Sequence, residues 1–159
     1  MRARTALAGT VLLLLAGCGS ADDDPGGATP TVEETAGSGD DAMAATSVMV
    51  AASTLGDVLV DGEGLTLYMF DPDAQGASTC YDDCATAWPP LVTDGTPGAG
   101  DGADDSLLGT VERDDGAVQV TYDGWPLYYF AQDAAPGDVK GQGLNDVWWV
   151  LDADGEPVH

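Results

Sequence analysis

The chain has 159 residues, 44% of them hydrophobic, with 28 acidic against 4 basic side chains and a formal net charge of −24. Nucleic acid is excluded as a partner, because binding it needs a basic footprint, and an anionic membrane surface repels the polypeptide itself. The acidity serves either the solubility of an exported chain or an affinity for cations and cationic partners.

Residues 1–17 read as a secretory signal peptide: Arg2 and Arg4, an apolar run through Val11 and Leu12 to Leu15, then small residues. The stretch is too short to span a bilayer as a helix. Leu15-Ala16-Gly17-Cys18 resembles the lipobox of bacterial lipoproteins. That resemblance implies that Cys18 is acylated and becomes the mature amino terminus. The protein is then held through lipid on the outer face of the cytoplasmic membrane or another envelope membrane. Buried methylenes contribute about 0.8 kcal/mol each, so two or three chains anchor stably where one does not. Losing Arg2 and Arg4 with the leader moves the formal charge from −24 to −26. Residues 18–46, rich in Asp, Gly, Ala, Thr and Glu and free of aromatics, form a flexible acidic tether. All aromatic residues fall between Tyr68 and Trp149, so residues 47–159 form a single domain with one modest core.

Within that domain the signals are strands and turns. Asp57 to Val60, the Asp61-Gly62-Glu63-Gly64 turn and Leu65 to Phe70 predict strand, turn and strand. Cys84 to Trp88 predicts at most one helical turn, stopped by Pro89-Pro90. Thr93 to Asp105 is a loop. Strands follow over Val111 to Arg113, Ala117 to Tyr122, Trp125 to Ala131 and Val147 to Leu151. Tyr68-Met69-Phe70-Asp71-Pro72-Asp73 returns sixty residues later as Tyr128-Tyr129-Phe130-Ala131-Gln132-Asp133, each copy behind a leucine and ahead of an equally spaced tryptophan, Trp88 or Trp148. Self-similarity at a fixed period means one supersecondary unit used twice, at about residues 55–93 and 110–152. Alternation puts Tyr68 and Phe70 on one face with Leu65, Leu67 and Met69 on the other, and likewise Tyr128 and Phe130 against Leu127 and Tyr129. Strands apolar on both faces are covered on both sides. The fold class is therefore all-β, a small sandwich or barrel-like domain of two similar repeats related by a pseudo-twofold axis. Core packing accounts for the Tyr-x-Phe stripe, an aromatic ligand platform being the rival. Asp73 and Asp133 cap the turns that follow.

Cys80 and Cys84 remain as an even pair in an oxidising compartment, which predicts a disulfide. Residues four apart on a regular helix have Cβ atoms about 5–6 Å apart, whereas a disulfide needs about 3.5–4.5 Å, so the segment must be a turn or a distorted helical end. A redox role is the rival, although the pair is not Cys-x-x-Cys and no cation next to it favours a thiolate. A zinc site lacks a second ligand pair.

The doubled Tyr-x-Phe-x-x-Asp, Cys80-x-x-x-Cys84 running into Trp88-Pro89-Pro90-Leu91, and Gly141-Gln142-Gly143 before Val147-Trp148 together resemble the bacterial lipoproteins with the Yx(F/W/Y)xxD motif, a secreted repeat of unknown function. The resemblance implies an exported envelope protein and no particular chemistry. The residues themselves argue against catalysis: the single histidine is His159, the terminal residue, and carboxylates are too many to single out an acid or a base. No cofactor is expected, with Ca²⁺ the one candidate. Asp71, Asp73 and Asp82 partly echo a calcium loop that includes Gln75 and Gly76, though Pro72 and the lack of flanking helices depart from it. The expected function is a non-catalytic structural or binding module of the envelope with a protein or glycan partner. A redox or electron-transfer accessory, or a Ca²⁺-binding module, is the alternative.

Overall fold

The computed structural model describes residues 46–73 and 76–159. The leader, Cys18, the tether up to residue 45, Ala74 and Gln75 lie outside the described residues. Among the described residues eight strands form in chain order: β1 Ser47–Ser53, β2 Gly56–Asp61, β3 Tyr68–Phe70, β4 Gly98–Ala99, β5 Leu108–Glu112, β6 Val118–Tyr122, β7 Trp125–Pro126 and β8 Trp148–Val150. The one α-helix described, α1, is a single turn at Asp83–Ala87. A 3-10 turn at Leu144–Asp146 takes the equivalent place in the second repeat. The fold is mostly β with little helix, as expected.

The strands group as β2-β1-β4, β3-β8 and β5-β6-β7. No closed barrel forms among the described residues, which removes the barrel-like alternative. The physical reason is that the strands change partner every few residues. Thr66 bridges Val60, whereas two residues later Tyr68 pairs with both Val150 and Tyr128. The predicted strand Leu65 to Phe70 is regular only at its end for that reason. Trp125 to Ala131 behaves alike: Trp125 and Pro126 pair with β6, and Tyr128 then bridges Tyr68 and Pro90.

Two further elements differ from expectation. β1 pairs with β2 from Val48↔Asp61 to Ser53↔Gly56, yet its Ala, Ser and Met content carries little strand signal. The first repeat therefore begins earlier than residue 55. The loop from Thr93 to Asp105 contains β4, which runs parallel to β1 through Ser47↔Gly98 and Val48↔Ala99.

The turns follow their residues. Asp123 and Gly124, at φ 46° and 79°, supply the two left-handed positions that a tight hairpin between β6 and β7 needs. Asp61 closes its own turn, its Oδ1 accepting from the Glu63 and Leu65 amides at 2.9 Å each.

A pseudo-twofold axis passes between Tyr68 and Tyr128. Their amides and carbonyls exchange two hydrogen bonds, of 2.8 and 2.9 Å. Outside this pair Tyr68 lies opposite Val150 and Tyr128 opposite Pro90, the latter bridge held by the Leu91 amide donating to Leu127 O and the Tyr129 amide to Pro89 O, and the two positions are equivalent in the two repeats. Each repeat thus gives the segment after its tryptophan to the tyrosine strand of the other. Alternation then sends Leu67, Met69 and Leu127 into one buried cluster and Tyr68, Tyr128 and Phe130 into the other, with Phe70 packed against the second.

Candidate functional site

The repeated motif converges at the axis and mostly faces inward. Trp88 and Trp148 stack on each other with ring centres 3.8 Å apart and planes 3° from parallel. Phe70 covers the outer face of Trp148 at 4.1 Å, and Phe130 that of Trp88 at 4.4 Å. Tyr68 meets Trp88 edge-on at 5.3 Å, and Tyr128 meets Trp148 edge-on at 5.4 Å. The core reading of the Tyr-x-Phe stripe is therefore what the packing shows, with Phe70 the least buried of the four.

Asp73 and Asp133 each tie down the loop that follows, and they do more. Asp73 Oδ1 accepts from the Thr79 amide at 2.8 Å and its hydroxyl at 2.6 Å. Asp133 Oδ1 accepts from the Lys140 amide at 3.0 Å. Their second oxygens reach across the axis: Tyr68 donates to Asp133 Oδ2 at 2.6 Å, and Tyr128 donates to Asp73 Oδ2 at 2.5 Å. The motif is completed in trans, the tyrosine of each copy serving the aspartate of the other.

The two crossings differ in what lies behind them. Arg113, 3% exposed, donates to Ser78 Oγ at 2.5 Å, Gln119 Oε1 at 2.8 Å and Cys80 O at 2.8 Å. Ser78 Oγ lies 2.8 Å from the Tyr128 hydroxyl. Arg113 donates to Ser78 and Tyr128 donates to Asp73, so the Ser78 proton must point to Tyr128. The buried carboxylate of Asp73 is thereby linked to a buried guanidinium through two hydroxyls. At the other crossing Tyr68 accepts only a weak bond from the Gly141 amide at 3.2 Å. Gly141 has no room for a side chain, since a Cβ there would lie 2.7 Å from the Trp88 ring and 2.9 Å from that of Tyr68.

Burial, followed by the bond to Asp73, pushes the Tyr128 phenol up to about 12. Burial and the aspartates Asp133 and Asp61 push Tyr68 and Tyr129 upward as well. The unfolded chain releases these protons near pH 10.0, while folded Tyr128 keeps its proton to about 12. The folded state binds more protons over that interval, so stability is complete below pH 10 and falls as pH rises toward 12. Urea midpoints measured across this range should decline, and Tyr128→Phe should remove part of the slope.

Cys80 and Cys84 form the predicted disulfide, with Cα atoms 5.2 Å apart. Asp82, at φ 50°, breaks the turn before α1 so that the two sulfurs can meet. Asp71 and Asp82 are exposed, whereas Asp73 is fully buried with Thr79 and Tyr128 on its oxygens. The three calcium candidates are not brought into one cluster, and among the described residues no group of three or more His, Cys, Asp or Glu is placed to hold a metal ion. His159 packs edge-on against Trp149 at 4.4 Å.

Beside the second copy of the motif lies an open cleft of ≈ 400 Å³, lined by Asp61, Glu63, Leu65, Pro89, Tyr129, Phe130 and Asp133 among others. Asp61 Oδ2 accepts from the Tyr129 hydroxyl at 2.9 Å. The two ion pairs among the described residues, Arg113–Asp115 and Lys140–Asp138, are elsewhere. Sequence reasoning missed this cleft and also Arg113, whose only signal was that it is one of two strong cations beyond the leader.

A family model described as a secreted repeat of unknown function matches the chain twice, over residues 49–92 and 109–152. No curated protein and no solved structure matches the chain.

Proposed function

Because the chain belongs to this lipoprotein family of secreted repeats, we propose that it is an exported, lipid-anchored module of the cell envelope that binds a partner without catalysing a reaction. The observation carrying this reading is the use made of the motif. Tyr68, Tyr128, Asp73, Asp133, Trp88 and Trp148 spend their hydrogen bonds and ring faces on joining the repeats. The motif therefore supports a scaffold, and contact with a partner falls to loop carboxylates such as those around the acidic cleft. The anchor is lipid on Cys18, because the polypeptide, at −26 once Arg2 and Arg4 leave with the leader, is repelled by an anionic surface.

The test is cross-linking in intact envelopes followed by capture of the lipidated chain. A partner enriched by the wild type and lost with Glu63→Lys, an exposed cleft position, is the expected result. Equal enrichment from both would move the contact away from the cleft, and no enrichment would remove the binding reading. Cys18→Ala should leave the membrane fraction, and its retention there would refute the lipid anchor.

The disulfide fits a framework role. Cys80 is fully buried and its carbonyl holds Arg113. Thiol labelling of the native protein under mild reductant should remain at background and rise only after denaturation. Rapid labelling under native conditions would instead point to a redox pair. Closing so short a loop contributes only about 2 kcal/mol, so the reduced protein should still fold.

A further inference from the structure

The aromatic core has a geometry that packing alone does not favour. Ring quadrupoles prefer offset or edge-on pairs with centres farther apart than those of Trp88 and Trp148, which face each other at 3.8 Å and 3°. Two overlapping indoles can share a positive charge, and an indole gives up an electron more readily than most side chains. Each indole has a tyrosine against it, and each tyrosine hydroxyl donates to a carboxylate that can take its proton. From residue 46 onward the chain carries 21 acidic side chains against Arg113 and Lys140, a balance that further favours a positive vacancy in the core.

We propose that this core is a one-electron relay, in which a vacancy created on the Trp88–Trp148 pair settles on Tyr68 as its proton passes to Asp133. The reacting partner is a high-potential one-electron oxidant of the radical class, such as a peroxyl radical. The oxidant gains one electron from the indole pair, and Tyr68 refills the pair with one electron. The phenolic O–H bond breaks and an O–H bond forms on Asp133 Oδ2. A neutral tyrosyl radical is left beside a neutral carboxylic acid. One electron from an enediol or quinol reductant, with return of the proton, restores the starting state.

The asymmetry of the site selects Tyr68 over Tyr128. Arg113 stands two hydrogen bonds from the Tyr128 hydroxyl, through Ser78, and its charge opposes a vacancy there. At Asp133 the lysine contributes its neutral amide, while Lys140 Nζ bonds to Asp138 at 2.7 Å. The relay does not depend on the proposed binding partner.

The experiment uses the full chain in detergent micelles, photo-oxidised by flash-quench of tris(bipyridine)ruthenium with persulfate and read by electron paramagnetic resonance. The wild type should give a persistent tyrosyl signal that ascorbate clears. Tyr68→Phe, which keeps the ring contact with Trp88, should lose that signal. Tyr128→Phe and the half-buried Tyr81→Phe should keep it. Survival of the signal in Tyr68→Phe, or its loss in Tyr128→Phe instead, overturns the assignment. The wild type supplies a second measurement that depends on no variant. Slower formation of the signal in heavy water is expected from transfer to Asp133, and equal rates overturn the coupled step.

Discussion

Trp88→Ala or Trp148→Ala should each cost about 3–5 kcal/mol and unfold both repeats in a single transition. Either truncation removes one face of the stacked pair, strips the cover from Phe130 or Phe70, and leaves a tyrosine edge without its ring. A domain of this size has roughly 5–15 kcal/mol to lose, so either variant approaches the limit of folding. The single transition follows from the exchange at the axis, since Tyr68 pairs with Val150 and Tyr128 with Pro90. Melts followed by far-ultraviolet dichroism and by tryptophan fluorescence should coincide. Separated transitions would mean that the repeats hold their own cores.

Arg113 carries the second large effect. Arg113→Met should destabilise by about 2–4 kcal/mol, because the Cys80 carbonyl and Gln119 Oε1 are left buried without a donor. Arg113→Lys should recover little, since one ammonium cannot reproduce the fork that reaches Ser78, Gln119 and Cys80 together. The guanidinium also lies 4.4 Å from the centre of the Tyr81 ring, a stacking that lysine keeps poorly. Denaturant midpoints of the two variants decide this, and a loss confined to Asp115, whose side chain is half exposed, would show the ion pair rather than the buried bonds at work.

What the sequence made legible was local. The repeat, the two faces of the tyrosine strands, the Asp123-Gly124 turn and the Cys80–Cys84 bridge each follow from neighbouring residues. The partner of each motif residue was not legible, because Tyr-x-Phe-x-x-Asp reads the same whether an aspartate serves its own tyrosine or the other. The structure puts Tyr68 with Asp133 and Tyr128 with Asp73. β1 escaped notice because alanine and serine reveal no strand until β2 and β4 lie on either side of them. The cleft escaped for a similar reason: Asp61, Pro89 and Tyr129 are distant in the chain and meet only once the strands have crossed.

The trans completion of the motif also fixes an order of events during export. Tyr68 waits for Asp133, 65 residues downstream, and its hydroxyl is finished only by the Gly141 amide, 73 residues on. A chain delivered first half first has Asp73 bonded to Thr79 and Tyr68 against Trp88, but the Tyr68 hydroxyl, Asp73 Oδ2 and the stacked face of Trp88 still lack their partners. Contacts of such long range form late, after a costly loop closure. In an exported chain the first copy of the motif is therefore completed only once Asp133 and Gly141 have followed it.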